Sequence, residues 1–151
     1  MKKLFVIGIS LLILWSCNNS AEKPAAQEET VVPAETQHEE SADAIELNNG
    51  DKWEVNAEMK PFILKGEDLV NTYIKNGDTD YKNLAEQLKQ QNGQLIESCT
   101  MEGKSHDELH KWLHPHLGIV ETLEAETDAS RANEIVSRLQ KSYEEFHLYF
   151  K

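Results

Sequence analysis

From residue 55 to the C-terminus the apolar positions recur three and four apart, the interval that lines one face of an α-helix. Val55, Met59, Phe62, Ile63, Leu69, Val70, Tyr73 and Ile74 make a first stripe, closed by Asn76-Gly77, a pair suited to a left-handed cap. Pro61 is expected to kink this helix or to delay its start. A second stripe holds Tyr81, Leu84, Leu88, Leu95, Ile96 and Cys99, with Thr79 or Asp80 as its opening cap and Gly103 as its terminating glycine. Ser105-His106-Asp107-Glu108 reads as a capping box. It would open a third helix that buries Leu109, Trp112, Leu113, Leu117, Val120 and Leu123, with a kink expected at Pro115. Thr127 or Asp128 caps a fourth, whose stripe is Ala132, Ile135, Val136, Leu139, Tyr143, Phe146 and Phe150. Connections this short force each helix to return beside its predecessor. The expected fold is therefore all-α, an antiparallel up-down-up-down four-helix bundle over residues 45–151.

Ahead of residue 45 the pattern changes twice. Lys2 and Lys3 precede an apolar run from Leu4 to Trp15, short for a permanent span and shaped like a secretory signal over residues 1–16. The run ends in Leu14-Trp15-Ser16-Cys17, which looks like a lipobox. Cys17 is then the lipidated first residue of the mature chain, with about 0.8 kcal/mol of membrane affinity for each buried CH₂ of its acyl chains. Residues 17–44 are rich in Ala, Glu, Gln, Ser, Thr and Pro and carry no aromatic side chain. Too little apolar surface is present to offset the entropy of ordering them, so they are expected to form a disordered acidic tether, with a reach of about 30 Å as a flexible coil. These features place the protein in the cell envelope, on the periplasmic side or at the cell surface, with the outer membrane as the expected anchor.

The net charge of −12 argues against nucleic acid and against adhesion to anionic lipid, leaving the lipid anchor as the membrane contact. With Cys17 acylated, Cys99 is the one free thiol, and no intramolecular disulfide can form.

Alternating helix direction would gather Met59, Cys99, Met101, His106, His110 and His147 at one end of the bundle. Met59 and Cys99 lie at the centres of their stripes at 100° per residue. His106 and His110 are one turn apart on the edge of theirs, and His147 flanks its own. Met101 falls off the stripe near the helix end. His114 points outward. His116 lies near the centre of the third stripe, about two turns from the cluster. It reads as a core-edge histidine satisfied by a carbonyl, or as a further ligand brought in by the bend at Pro115.

Two histidines at i and i+4 form a bidentate arrangement for a metal. Thiolate and thioether beside imidazole favour copper(I), with zinc also suited. His106-Asp107-Glu108-Leu109-His110 is not the zincin signature, since its Glu stands third rather than second.

Met59 in Asn56-Ala57-Glu58-Met59, and His147 in the terminal run Tyr143-Glu144-Glu145-Phe146-His147-Leu148-Tyr149-Phe150-Lys151, give the chain a resemblance to the cytochrome b562 family. The resemblance spans roughly residues 55–151. It implies an antiparallel four-helix bundle holding non-covalent haem b between Met59 and His147, for electron transfer. The chain departs from that family at Pro61, in a shorter connection between helices two and three, and in the segment from Cys99 to His116.

The first functional expectation is a lipoprotein that binds a copper or zinc ion through Cys99, His106 and His110, with Met101 and His116 as further candidates. A haem b protein using Met59 and His147 is the alternative, and a structural or interaction lipoprotein is the third. No nucleophile sits with a base and an orienting partner at recognisable spacing, so no enzyme is expected.

Overall fold

The structure is a computed structural model that describes residues 44–151. The signal segment, Cys17 and all of the 17–44 tether except Ala44 lie outside the described residues. Four helices dominate: α1 (Lys60–Asn76), α2 (Tyr81–Glu97), α3 (Lys104–Ala125) and α4 (Ala129–Tyr149). Each packs on its neighbour in the chain, and α1 also meets α4, which closes a four-helix bundle. Among the described residues there is no strand, only two isolated bridges.

The stripes face inward except at Ile74 and Ile96, near the ends of α1 and α2, which are exposed. Ile63 and Val70 of α1, Leu84, Leu88 and Leu95 of α2, Leu109, Trp112, Val120 and Leu123 of α3, and Ala132, Val136, Leu139 and Phe146 of α4 are all buried. Each large side chain among them contributes roughly 1.5–3 kcal/mol by leaving water. The polar caps fix where the helices begin and end. Asp80 opens α2 by accepting the Asn83 N–H at 3.1 Å, and Asp128 opens α4 by accepting the Arg131 N–H at 2.9 Å. The latter bond holds the Asp128 carboxyl below its ordinary range. Gly77 closes α1 at φ 62°, a conformation in which a Cβ is strained.

Of the two outcomes expected at Pro61, the delayed start is the one found: Pro61 sits in the first turn of α1, where its missing N–H has no partner to lose. Val55 and Met59, assigned above to the helical stripe, therefore precede the first helical residue, Lys60. Both are still buried, because residues 44–58 run across the bundle as a strap. The strap pairs with the end of the chain: the Trp53 N–H donates to the Tyr149 carbonyl at 2.8 Å, and the Lys151 N–H donates to the Trp53 carbonyl at 2.9 Å.

Gly103 does not terminate α2. That helix ends at Glu97, and Gly103, at φ 65°, is the residue that opens α3. No capping box forms: α3 begins at Lys104 with Gly103 as its cap, so Ser105 lies inside the helix and its hydroxyl donates to the Glu102 carbonyl at 3.2 Å. The buried Glu108 carboxylate accepts from the Glu46 N–H of the strap at 2.7 Å and from Lys111 at 2.9 Å. Pro115 lies inside α3, which runs from Lys104 to Ala125.

Candidate metal centre

His106, His110 and His114 follow one another at four-residue steps along α3, on an edge of the helix beside its buried face. Each step of four advances the strip by about 40° around the axis. The drift explains why His106 and His110 are half-buried while His114 is exposed. The three rings nonetheless form one chain. His110 Nε2 lies 3.0 Å from His106 Nε2, and His110 Nδ1 lies 2.8 Å from His114 Nε2. Successive rings stand nearly perpendicular, with centroids 4.4 and 4.7 Å apart. A neutral His110 has one N–H and one lone pair, so it donates to one neighbour and accepts from the other.

Burial, and then the proximity of His106 and His114, lower the pKa of His110; Asp107 opposes them. The middle ring is thus kept in the neutral form.

The sulfur candidates lie just ahead of this ladder, in the turn between α2 and α3. Cys99 is half-buried, its N–H donating to the Ile96 carbonyl at 3.2 Å, and both Cys99 and Met101 pack against the core. Among the described residues, no three His, Cys, Asp or Glu side chains converge on a common ion position. The geometry of His110 gives the reason for the ladder. It meets His106 and His114 through nitrogens on different sides of its ring, so its two neighbours cannot share one ion with it.

His116 belongs to the core rather than to this edge. It is wholly buried, stacked on Trp112 at 4.8 Å and edge-on to Tyr143 at 4.8 Å. Its Nδ1 lies 3.0 Å from the Ser142 hydroxyl, whereas its Nε2 has no hydrogen-bond partner. The Ser142 carbonyl is taken by the Trp112 indole N–H at 2.7 Å. Removal from water pushes the His116 pKa down to about 4.

The two residues suggested as haem ligands face different surroundings. Met59 is fully buried among apolar side chains. His147 is half-exposed, and its Nε2 lies 2.8 Å from the Glu67 carboxylate across the α1–α4 contact. The crevice beside His147 is lined by Val55, Lys60, Ile63, Leu64, Phe146 and Lys151, without Met59, and holds about 90 Å³. A bound ligand of haem size needs several hundred Å³. Met59 and His147 as placed here do not fit a haem.

Sequence reasoning set His114 aside because it points outward. Outward it does point, but the four-residue repeat 106–110–114 was the available signal that it joins its two predecessors. The chain matches no family model, no curated protein and no solved structure.

Proposed function

We propose that this chain is a lipid-anchored extracytoplasmic protein, carried on a disordered acidic tether, whose antiparallel bundle binds copper or zinc through the histidines of α3. The alternating direction is supported by bonds from the start of α2 to the end of α3. Lys82 Nζ reaches the Glu124 carbonyl at 2.6 Å, and Lys89 Nζ reaches the Glu124 carboxylate at 2.8 Å. The lipid anchor rests on Cys17 and the signal-like run before it. No described helix is long and apolar enough to cross a membrane.

One observation carries the metal reading: paired imidazole nitrogens 3.0 and 2.8 Å apart on consecutive turns of one helix. In the absence of metal this spacing is a hydrogen bond. A metal would take the place of the shared hydrogen once the donor ring has shifted its proton to its other nitrogen, so that both facing nitrogens offer lone pairs to the ion. Bonds of about 2.0–2.1 Å to nitrogens so spaced subtend about 85–95°. That angle is close to the right angle of tetragonal copper(II), and a few tenths of an ångström of opening would give the tetrahedral angle of zinc. Water completes the shell. Cys99 and Met101, in the turn that leads into α3, are the nearest sulfur donors in sequence, and they would have to move toward the histidines to add copper(I) to the ions the site takes.

Equilibrium dialysis of the full chain in detergent against copper(II) and against zinc tests this. The parent chain is expected to retain metal. His110→Ala should weaken binding at least tenfold without loss of helicity, and Cys99→Ala should weaken it less. A parent that holds neither ion, or a His110→Ala chain that binds as tightly as the parent, overturns the proposal.

A further inference from the structure

The ladder has three rings, yet the three cannot close around one ion. We propose that His110 serves two metal positions at once, its ring standing between a pair of copper(II) ions as a bridging imidazolate. One position is made by His106 Nε2 and His110 Nε2, the other by His110 Nδ1 and His114 Nε2. This rests on the metal reading above and goes beyond it in the number of ions and in the role of the middle ring.

The argument is one of valence and place. His110 turns a different nitrogen to each neighbour, at 3.0 and 2.8 Å, so the two positions compete for no donor atom. Each neighbour offers Nε2, which leaves Nδ1 of His106 and of His114 to carry the single proton of a neutral ring. A neutral His110 has one N–H. When both of its nitrogens bind metal, that proton leaves to solvent and the ring becomes an anion shared by two cations. No electron moves; both ions stay copper(II). The acidic chain, at a net charge of −12, favours the accumulation of positive charge on its surface. His114 is exposed and His110 half-buried, so the outer position opens to water and can fill without unpacking the core.

The full chain in detergent, carrying Cys99→Ser so that its thiol cannot reduce copper(II), is titrated with copper(II) chloride. Bound copper is measured by dialysis, and unpaired spin by electron paramagnetic resonance. Two equivalents should bind. The spin signal should rise over the first and fall as the second enters, because an imidazolate bridge couples two copper(II) ions antiferromagnetically. His106→Ala and His114→Ala should each bind one equivalent with its full spin, with the parent's circular dichroism showing intact helices. Two equivalents with full spin in the unaltered ladder would mean separate sites and overturn the bridge. One equivalent would also overturn it, while leaving the metal reading in place. No bound copper would overturn both.

Discussion

His116 stands where a stripe centre requires an apolar residue, and the surroundings have made it behave as one. Its ring is stacked on Trp112 and edge-on to Tyr143, and only Nδ1 finds a partner, the Ser142 hydroxyl. A doubly protonated ring would carry an N–H on Nε2, which is buried without an acceptor. In the folded chain the ring therefore resists protonation down to about pH 4, whereas in the unfolded chain it protonates near 6.5. Below 6.5 the unfolded state takes up a proton that the native state refuses. Stability present above 6.5 is lost as the pH falls toward 4, by up to about 3 kcal/mol. Urea unfolding at pH 7 and pH 5 should show a loss of about 2 kcal/mol that is largely absent in His116→Phe. An equal loss in that variant would remove His116 as its source. The position of this residue on the buried face was readable from helical periodicity. Its partner was not, because the expected carbonyl acceptor of the neighbouring helix is occupied by Trp112, a fact of three-body packing.

At the scale of the helix, Gly66 of α1 leaves room for a side chain of α4. A Cβ at this position would collide with the Tyr143 hydroxyl on α4. An interior glycine costs about 1 kcal/mol of helix propensity against alanine, so Gly66→Ala should stabilise α1 taken alone. In the bundle the collision should win, with a net loss of about 1–2 kcal/mol. Tyr143→Phe removes the hydroxyl and should recover most of that loss in the double variant, measured as a thermodynamic cycle by chemical denaturation. A Gly66→Ala chain as stable as the parent would show that Tyr143 moves aside freely. Helix ends obey the same division. Asp80, Asp128 and Gly77 mark boundaries that follow from local hydrogen bonding and backbone freedom, and they lie where the sequence suggests. Gly103 and the Ser105–Glu108 run carry the right residues for a terminator and a capping box, but Gly103 itself opens α3, which leaves Ser105 inside the helix, and Glu108 bonds to Lys111 and to the Glu46 N–H of a distant strap.

Taken whole, the molecule has a bundle whose entry is tied down. The strap from Ala44 to Glu58 is held by Glu108, Lys104 and the carbonyl of His147, and it pairs with the last residues of α4. Under the proposed tethering, a pull from the N-terminal side would load the bonds of Glu46, Lys52 and Trp53 before it reached α1. The anchor itself is open to a direct check. Cys17→Ala is expected to shift the protein from the membrane pellet to the soluble fraction of fractionated cells, and continued co-sedimentation would refute acylation as the means of attachment.

Helix number, their approximate spans and most of the core were legible from the sequence, because three-and-four spacing of apolar residues is a local property that burial rewards wherever the helix packs. The i, i+4 relation of His106 and His110 is equally local, and so is the extension to His114. Which side chains meet across helices is another matter. Gly66 against Tyr143, His116 against Ser142, His147 against Glu67 and Trp53 beside Lys151 join residues between 26 and 98 positions apart. Each pairing depends on how the helices slide and rotate against one another, which no stripe specifies. The same freedom set Met59 deep in apolar packing and turned His147 to a carboxylate. What the tertiary structure decided, through that register, was which side chains meet across helices, setting His147 against Glu67 and His116 against Ser142, whereas the ladder of α3 follows from the helix alone.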